Sequence, residues 1–287
     1  PCLYQIQGLE PSLKNGRIPL RTLIKSVLER TAPSLLDLIR GLRIRWFFGR
    51  QFASLHALVR SAVYPNDEPI RVRFGPFEGL RYLDAIVWGP ITPKWLGSYE
   101  AELSGIVDDI VRKRYTTIID IGCAEGYYAV GLAYRVPHAT IYAFDNDLIS
   151  RRQIVRLAAL NNVSSRIIVG RYCSHQSIDR LAGDNALIVC DIEGNERALL
   201  DPEQAPRLRR CDILVEVHEN RDDAATERTL VQRFSPTHDI EVIDACDRTS
   251  WRAAHHLAMP ASLIDQATNE HRNNGRRWLW MKARRTE

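Results

Sequence analysis

The sequence predicts an α/β fold: a seven-stranded, mostly parallel sheet with helices on both faces, preceded by a helical arm and a β-hairpin. Three observations carry this. From residue 116 onward, short apolar runs alternate with stretches of helical periodicity. The first of those runs ends in an acid and a glycine turn that leads into a helix. Ahead of residue 116 the pattern changes, first to apolar residues at helical spacing and then to alternation about a Gly/Pro turn.

Three segments follow: a basic helical arm over 1–65, a β-hairpin and lead-in helix over 66–115, and a main domain over 116–287. In the arm, Leu23, Val27 and Leu28, then Leu35, Leu36, Leu38, Ile39 and Leu42, recur at helical spacing, with a break and restart at Pro33 and Ser34. Pro65 and Pro69 close the arm. Runs 70–74 and 80–83 alternate on either side of the turn Gly75-Pro76-Phe77-Glu78-Gly79, which reads as a hairpin. An amphipathic helix is expected over 99–114. Strands are expected over 117–121, 140–144, 166–169, 186–190 and 213–217, with helices over 127–136, 148–160, 196–200 and 224–234. Apolar strands separated by helices imply a parallel sheet covered on both faces. Two later strands, 239–243 and 277–282, flank a polar stretch containing His255, His256, His271 and several arginines.

Composition narrows the class. A chain of 287 residues that is 45% hydrophobic and 26% charged can bury a substantial core. Cys2, Cys123, Cys173, Cys190, Cys211 and Cys246 form no C-x-x-C pair, which argues against a zinc ribbon or a disulfide framework and suits the cytoplasm. No apolar run reaches the roughly 20 residues that span a bilayer, and nothing at the start reads as a secretory signal. Residues 1–60 hold ten Lys/Arg against three Asp/Glu, a net of +7, leaving −3 for the remainder of a chain whose formal charge is +4. Such an arm is either a solvated helical face or a binding surface for an acidic substrate, a membrane surface or RNA.

The segment Asp120-Ile121-Gly122-Cys123-Ala124-Glu125-Gly126 carries the most chemistry. Gly122 and Gly126 open backbone conformations closed to other residues and admit a ligand at the carboxyl end of a strand. A dinucleotide fold wants G-x-G-x-x-G, whereas this turn is G-x-x-x-G with Ala124 in the middle and an acid, Glu125, inside it. A carboxylate there repels a pyrophosphate but suits S-adenosylmethionine (SAM), which carries an ammonium and a cationic sulfur. The second strand also ends in an acid, Asp145, placed either to accept hydrogen bonds from both ribose hydroxyls or to cap the following helix.

This turn resembles motif I of class I, Rossmann-like SAM-dependent methyltransferases, and Asp145 matches the acid after their second strand. The resemblance implies that Gly122 and Gly126 line the methionine and ribose of SAM and that Asp120 supports the loop or reaches the amino group. It also implies that Cys123, Ala124 and Glu125 complete the loop and that Tyr172 and Cys173 border the adenine. A second segment, Asp191-Ile192-Glu193-Gly194-Asn195-Glu196 followed by Ala198-Leu199-Leu200, is similar to the D-x-E-G-x-E…L-L signature of FkbM-type methyltransferases. That family implies O-methylation of small molecules or sugars. The likeness covers about 118–219, departs at Asn195, and leaves the N-terminal region unexplained.

Methyl transfer to an alcohol needs in-line placement and removal of a proton by a base or with the help of a metal. The candidates lie after the fourth and fifth strands: Asp191 and Glu193, then Glu216, His218, Glu219 and Asn220. His218 is the expected base or substrate ligand, the alternative being a hydrogen-bonded histidine at a strand terminus. Asp191 serves both the catalytic and the cofactor-binding set. No metal ligand set is assigned, and a divalent cation between Asp191 and the 218–220 turn is the alternative. Glu100 either closes over the cofactor or favours a first helical turn. Arginines within 248–276 could meet an anionic acceptor, and Trp278 and Trp280 are expected in the core.

The expected function is SAM-dependent O-methylation of a small-molecule or saccharide hydroxyl. The alternatives are an RNA or protein methyltransferase that docks through the arm, and a non-catalytic SAM-binding module. The arm also offers a homodimer interface.

Overall fold

The apolar runs become strands because each is flanked by helices that bury it from both sides. The computed structural model describes residues 33–85, 89–219, 224–246, 248–271 and 277–284, with 33–45, 47 and 48 described by backbone alone. The expected first helix of the arm, Cys2 and Asn220 lie outside the described residues.

Helix α1 (Pro33–Val63) starts at the expected proline and leads through a short 3-10 turn, Pro65–Asp67. The expected hairpin is reduced to a single antiparallel bridge, Arg71 with Arg81. Gly75 and Gly79, both at positive φ, turn the chain, and the N–H groups of Val72, Gly79 and Tyr82 donate across it to the carbonyls of Leu80, Val72 and Ile70, each at 2.9 Å. Helix α2 (Thr92–Leu96) follows, a helix the sequence pattern does not announce. The lead-in helix divides into a 3-10 turn, Ala101–Leu103, and α3 (Ser104–Lys113).

The main domain then alternates β1 (Thr117–Ile121), α4 (Tyr127–Arg135), β2 (Thr140–Phe144), α5 (Leu148–Leu160), β3 (Ile167–Gly170), α6 (His175–Leu181), β4 (Ala186–Cys190), α7 (Glu196–Leu199), β5 (Asp212–Val217) and α8 (Ala225–Phe234). It closes with β6 (His238–Asp244), α9 (Thr249–Ala254), α10 (Ala261–Thr268) and β7 (Arg277–Ala283). The strands form one seven-stranded sheet in the order β3-β2-β1-β4-β5-β7-β6. β1 to β5 run parallel, and β7 inserts antiparallel to both β5 and β6. This is the expected Rossmann-like architecture with an antiparallel last strand.

Strand alternation divides the core into two faces. Ile118, Ile141, Leu187, Leu214, Trp278 and Trp280 point to one face, where α3, α4 and α5 and the segment before β1 cover them. Ile119, Ile188, Ile213, Val215, Leu279 and Met281 point to the other, against α6, α7 and α8. Every residue of β4 and β5 is buried, whereas edge strand β6 is mostly exposed or half-buried. Burial at about 25 cal/mol per Å² of apolar area makes these central strands the main source of stability. The reversal of strand order between β1 and β4 opens a crevice at their carboxyl ends, where ligands bind in such sheets.

The described residues between β6 and β7 are largely helical. They form α9 and α10, and α10 lies against α1 and α2, with Thr92 Oγ1 donating to the Ala267 carbonyl at 2.8 Å. Among the described residues, no helix is long and apolar enough to cross a membrane.

Candidate active site

The glycine turn is built by backbone hydrogen bonds before any ligand is considered. The N–H groups of Gly122 and Cys123 both donate to the Phe144 carbonyl, at 2.8 and 3.1 Å, tying the end of β1 to the end of β2. Gly122 has φ 86°, and a Cβ there would lie 1.6 Å from the Asp191 carbonyl oxygen. Glycine at this position therefore lets the loop after β1 touch the loop after β4, a close approach within the protein. At Gly126, φ 99°, a Cβ would lie 2.6 Å from Ile154 Cγ1, so this glycine seats the loop on α5. Ala124 is held in the left-handed region at φ 46°.

Asp145 fastens this loop. Its two oxygens accept from the N–H of Ala124 at 2.8 Å and of Asp147 at 2.7 Å. The helix cap is Asp147, whose carboxylate accepts from Ile149 and Ser150. Burial raises the pKa of Asp145 to about 7, against those two N–H bonds. Asp120 is also buried, and burial raises it to about 7 although the Ala129 N–H binds one oxygen. Its Oδ2 has no hydrogen-bond partner.

Glu125 is placed differently from the expectation of a loop acid facing a ligand. It is 2% exposed and forms an ion pair with Lys94, itself 5% exposed, while Tyr82 Oη donates to it at 2.8 Å. Its charge is neutralised inside the protein, so the acids left to the loop are Asp120 and Asp145. Tyr172 is 69% exposed at the rim after β3, whereas Cys173 is buried in the core face beneath β1 and β4. Burial pushes the Cys173 thiol up to about 12, which removes it as a nucleophile at neutral pH. Cys123 is buried too, with its pKa raised by burial and by Asp120.

The ends of β4 and β5 bring the other candidates together. Asp191 N–H donates to the Ile121 carbonyl at 2.9 Å, which extends the β1–β4 pairing into the loop. Glu193 and Gly194 both take positive φ, 58° and 112°, and this tight turn carries the Glu193 side chain over β5. Glu196 is fully buried and accepts from the backbone N–H of Gly194 at 3.0 Å and of Ile192 at 3.3 Å. His218 meets all of these residues. Its Nδ1 lies 2.9 Å from Glu196 Oε1, and its Nε2 lies 3.0 Å from Glu193 Oε2, 3.2 Å from Glu216 Oε2 and 3.7 Å from Asp191 Oδ1. Burial by itself lowers the imidazole pKa, but the carboxylates of Glu193, Glu196, Glu216 and Asp191 around it outweigh burial and hold the pKa well above the usual histidine range. Burial, then the Glu216 charge, raises the Asp191 carboxyl well above the carboxylate range.

Glu196 and Glu216 thus belong to the centre. Glu216 stood among the sequence candidates, but alternation alone did not bring it to the strand's open end. The signal for Glu196 was its place in D-x-E-G-x-E. Glu219 is a helix cap instead, accepting from the N–H of Thr226 and Glu227 at 3.0 and 2.9 Å.

Of the arginines expected to meet an anionic acceptor, Arg272 and Arg276 lie outside the described residues, and the two described are paired within the protein. Arg248 bridges Glu102 at 2.9 Å and Glu270 at 3.1 Å, and Arg252 pairs with Asp265. Glu100 is buried and accepts from Tyr128 Oη rather than facing solvent in a first helical turn.

No family model and no curated protein matches the chain. Solved structures resemble it at low identity. A fibrillarin/Nop5p complex is 11% identical, over 74% of this chain and 92% of that one, with a TM-score of 0.44. The cofactor-bound protein Rv0187 from MTB is 16% identical, over 79% and 91%, with a TM-score of 0.40. A SAM-dependent O-methyltransferase from Thermotoga maritima is 11% identical, over 64% and 65%, with a TM-score of 0.40. At these identities and TM-scores the likeness names neither an activity nor an acceptor.

Proposed function

We propose that this chain is a SAM-dependent methyltransferase acting on a hydroxyl of a small molecule or saccharide. One observation carries the reading: the glycine loop with its Asp120–Asp145 pair and the carboxylate–imidazole centre meet at one crevice, where Gly122 touches the Asp191 carbonyl. The loop suits SAM. Asp120 Oδ2 is a buried acceptor without a hydrogen-bond partner, which fits an ammonium. Asp145 retains lone pairs toward ribose hydroxyls, since each oxygen accepts only one N–H. The acids there disfavour a diphosphate.

SAM, when bound, supplies the electrophilic methyl. The chain's own task is to hold an acceptor oxygen in line and to receive its proton as the oxygen–methyl bond forms. Asp191, Glu193 and His218 form the centre that takes up that proton, the carboxylates receiving it while Glu196 orients His218 through Nδ1. The D-x-E-G-x-E signature over Asp191–Glu196 supports an FkbM-type chemistry. The carboxylates of Asp191, Glu193, Glu196 and Glu216 oppose a phosphate-bearing acceptor, and so favour a neutral alcohol over RNA.

The test pairs calorimetry with turnover. S-adenosylhomocysteine is expected to bind, and Asp145→Ala to lose that binding. Across a panel of sugar and small-molecule alcohols, transfer of labelled methyl to oxygen is expected, and H218A should reduce it while leaving cofactor binding intact. Tight binding of NAD with no heat from S-adenosylhomocysteine would overturn the reading.

A further inference from the structure

The arrangement around His218 has a property that proton transfer alone does not require. Its imidazole side chain is only 10% exposed. Nδ1 is committed to Glu196, which two backbone N–H groups hold in place. A carboxylate on one ring nitrogen fixes the tautomer and turns the other nitrogen outward as a lone-pair donor, as in the outer shell of metal-bound histidines. Here that other nitrogen, Nε2, has no hydrogen-bond partner, and neither does the buried Asp191 Oδ1 beside it.

We propose that Asp191, Glu193 and His218 bind a divalent transition-metal ion, with Glu216 close behind them. One ligand atom from each of the three lies within 4.8 Å of the others. Nε2 is 3.0 Å from Glu193 Oε2 and 3.7 Å from Asp191 Oδ1. Donors about 2.1 Å from a shared ion stand about 3.0 Å apart at right angles and about 3.4 Å apart in a tetrahedron, so the Glu193 pair fits directly and the Asp191 pair needs a small inward shift. A single proton on Nε2 is at best shared weakly among the carboxylates that face it, whereas an ion at the centre engages the imidazole nitrogen and both carboxylates.

The donor set selects the ion. One imidazole nitrogen with carboxylate oxygens suits Mn²⁺, Fe²⁺ or Zn²⁺, while Ca²⁺ and Mg²⁺ prefer all-oxygen sites. The backbone assists as well. Glu193 and Gly194, in consecutive positive-φ conformations, carry the Glu193 carboxylate back toward β5. Ion binding stands independently of the methyltransferase reading; only its use, polarising an acceptor hydroxyl beside the donor loop, rests on that reading.

The experiment uses the full chain, stripped with chelator and dialysed. Mn²⁺ is titrated and followed by loss of the free-ion electron paramagnetic resonance signal, and Zn²⁺ by calorimetry. One ion per chain is expected, with Mg²⁺ and Ca²⁺ competing poorly. H218A and E193Q should each weaken Mn²⁺ binding at least tenfold, and E196Q about 10–100-fold through the outer shell. Glu193 is partly exposed, so E193Q tests the site even where H218A fails to fold. No binding at millimolar Mn²⁺ and Zn²⁺, or binding unchanged in folded E193Q and E196Q, would overturn the proposal. S-adenosylhomocysteine calorimetry on the stripped protein reports the donor site separately, so failure of one reading is not confused with failure of the other.

Discussion

Lys94 and Glu125 form an ion pair from which water is almost excluded, and it joins the segment before the main domain to the glycine loop. Thirty-one residues of chain separate the two. Breaking such a pair leaves one charge buried without its partner, which costs about 3–5 kcal/mol, whereas replacing both by apolar groups is close to neutral. Lys94→Met is therefore expected to lower stability by about 3–5 kcal/mol, and Lys94→Met with Glu125→Leu to recover most of it. Urea unfolding of the two variants beside wild type decides this. Equal loss in both would show that packing, not charge, holds the segment.

The two loop glycines should respond differently to alanine. At Gly122 a Cβ meets the Asp191 backbone carbonyl at 1.6 Å, so relief requires parting the β1 and β4 loops. At Gly126 the obstacle is a side-chain atom of Ile154 at 2.6 Å, which can turn away. Positive φ costs each variant about 1–2 kcal/mol. Gly122→Ala should lose more stability than Gly126→Ala and should abolish S-adenosylhomocysteine binding, as thermal melts and calorimetry would show.

Asp120 and Asp145 make a prediction about pH. Both have an ordinary carboxyl value of 3.8 raised to about 7, by burial first. Between those values the folded chain keeps protons that the unfolded chain has released, so stability falls as pH rises from about 4 to about 7 and levels off above. Asp120→Asn cannot ionise, and it should match wild type only at or below about pH 4, exceed it increasingly up to pH 8, and roughly halve the drop between them. A melting series across pH reads this directly. Affinity for S-adenosylhomocysteine should move the other way, rising from pH 6 to 8, because its ammonium favours ionised carboxylates.

Arg248 holds the segment between β6 and β7 closed through Glu102 and Glu270. Glu270 has its carboxyl raised to about 7 by burial, so it depends on that guanidinium to stay ionised. Arg248→Met should leave two buried acids without their cation and loosen α9 and α10 while the sheet stays intact. Limited proteolysis is expected to cut within 246–271 in the variant well before wild type, with little change in far-ultraviolet circular dichroism.

Local order in the chain already spelled out the alternation of strands and helices, the glycine turn after β1, Asp145 after β2, and the acids of D-x-E-G-x-E. These features depend on neighbours a few residues away, and backbone period and turn chemistry act over that range. Folding decided what each side chain meets. Glu125 and Cys173 look like site residues in a linear reading, yet one is buried against Lys94 and the other sits beneath the sheet. His218 acquires its four carboxylates only because β4 and β5 lie side by side, which brings residues 191–196 onto residues 216–218. The direction of a side chain at a strand end is set by the adjacent strand and its loop, and that neighbour is chosen by the topology of the sheet.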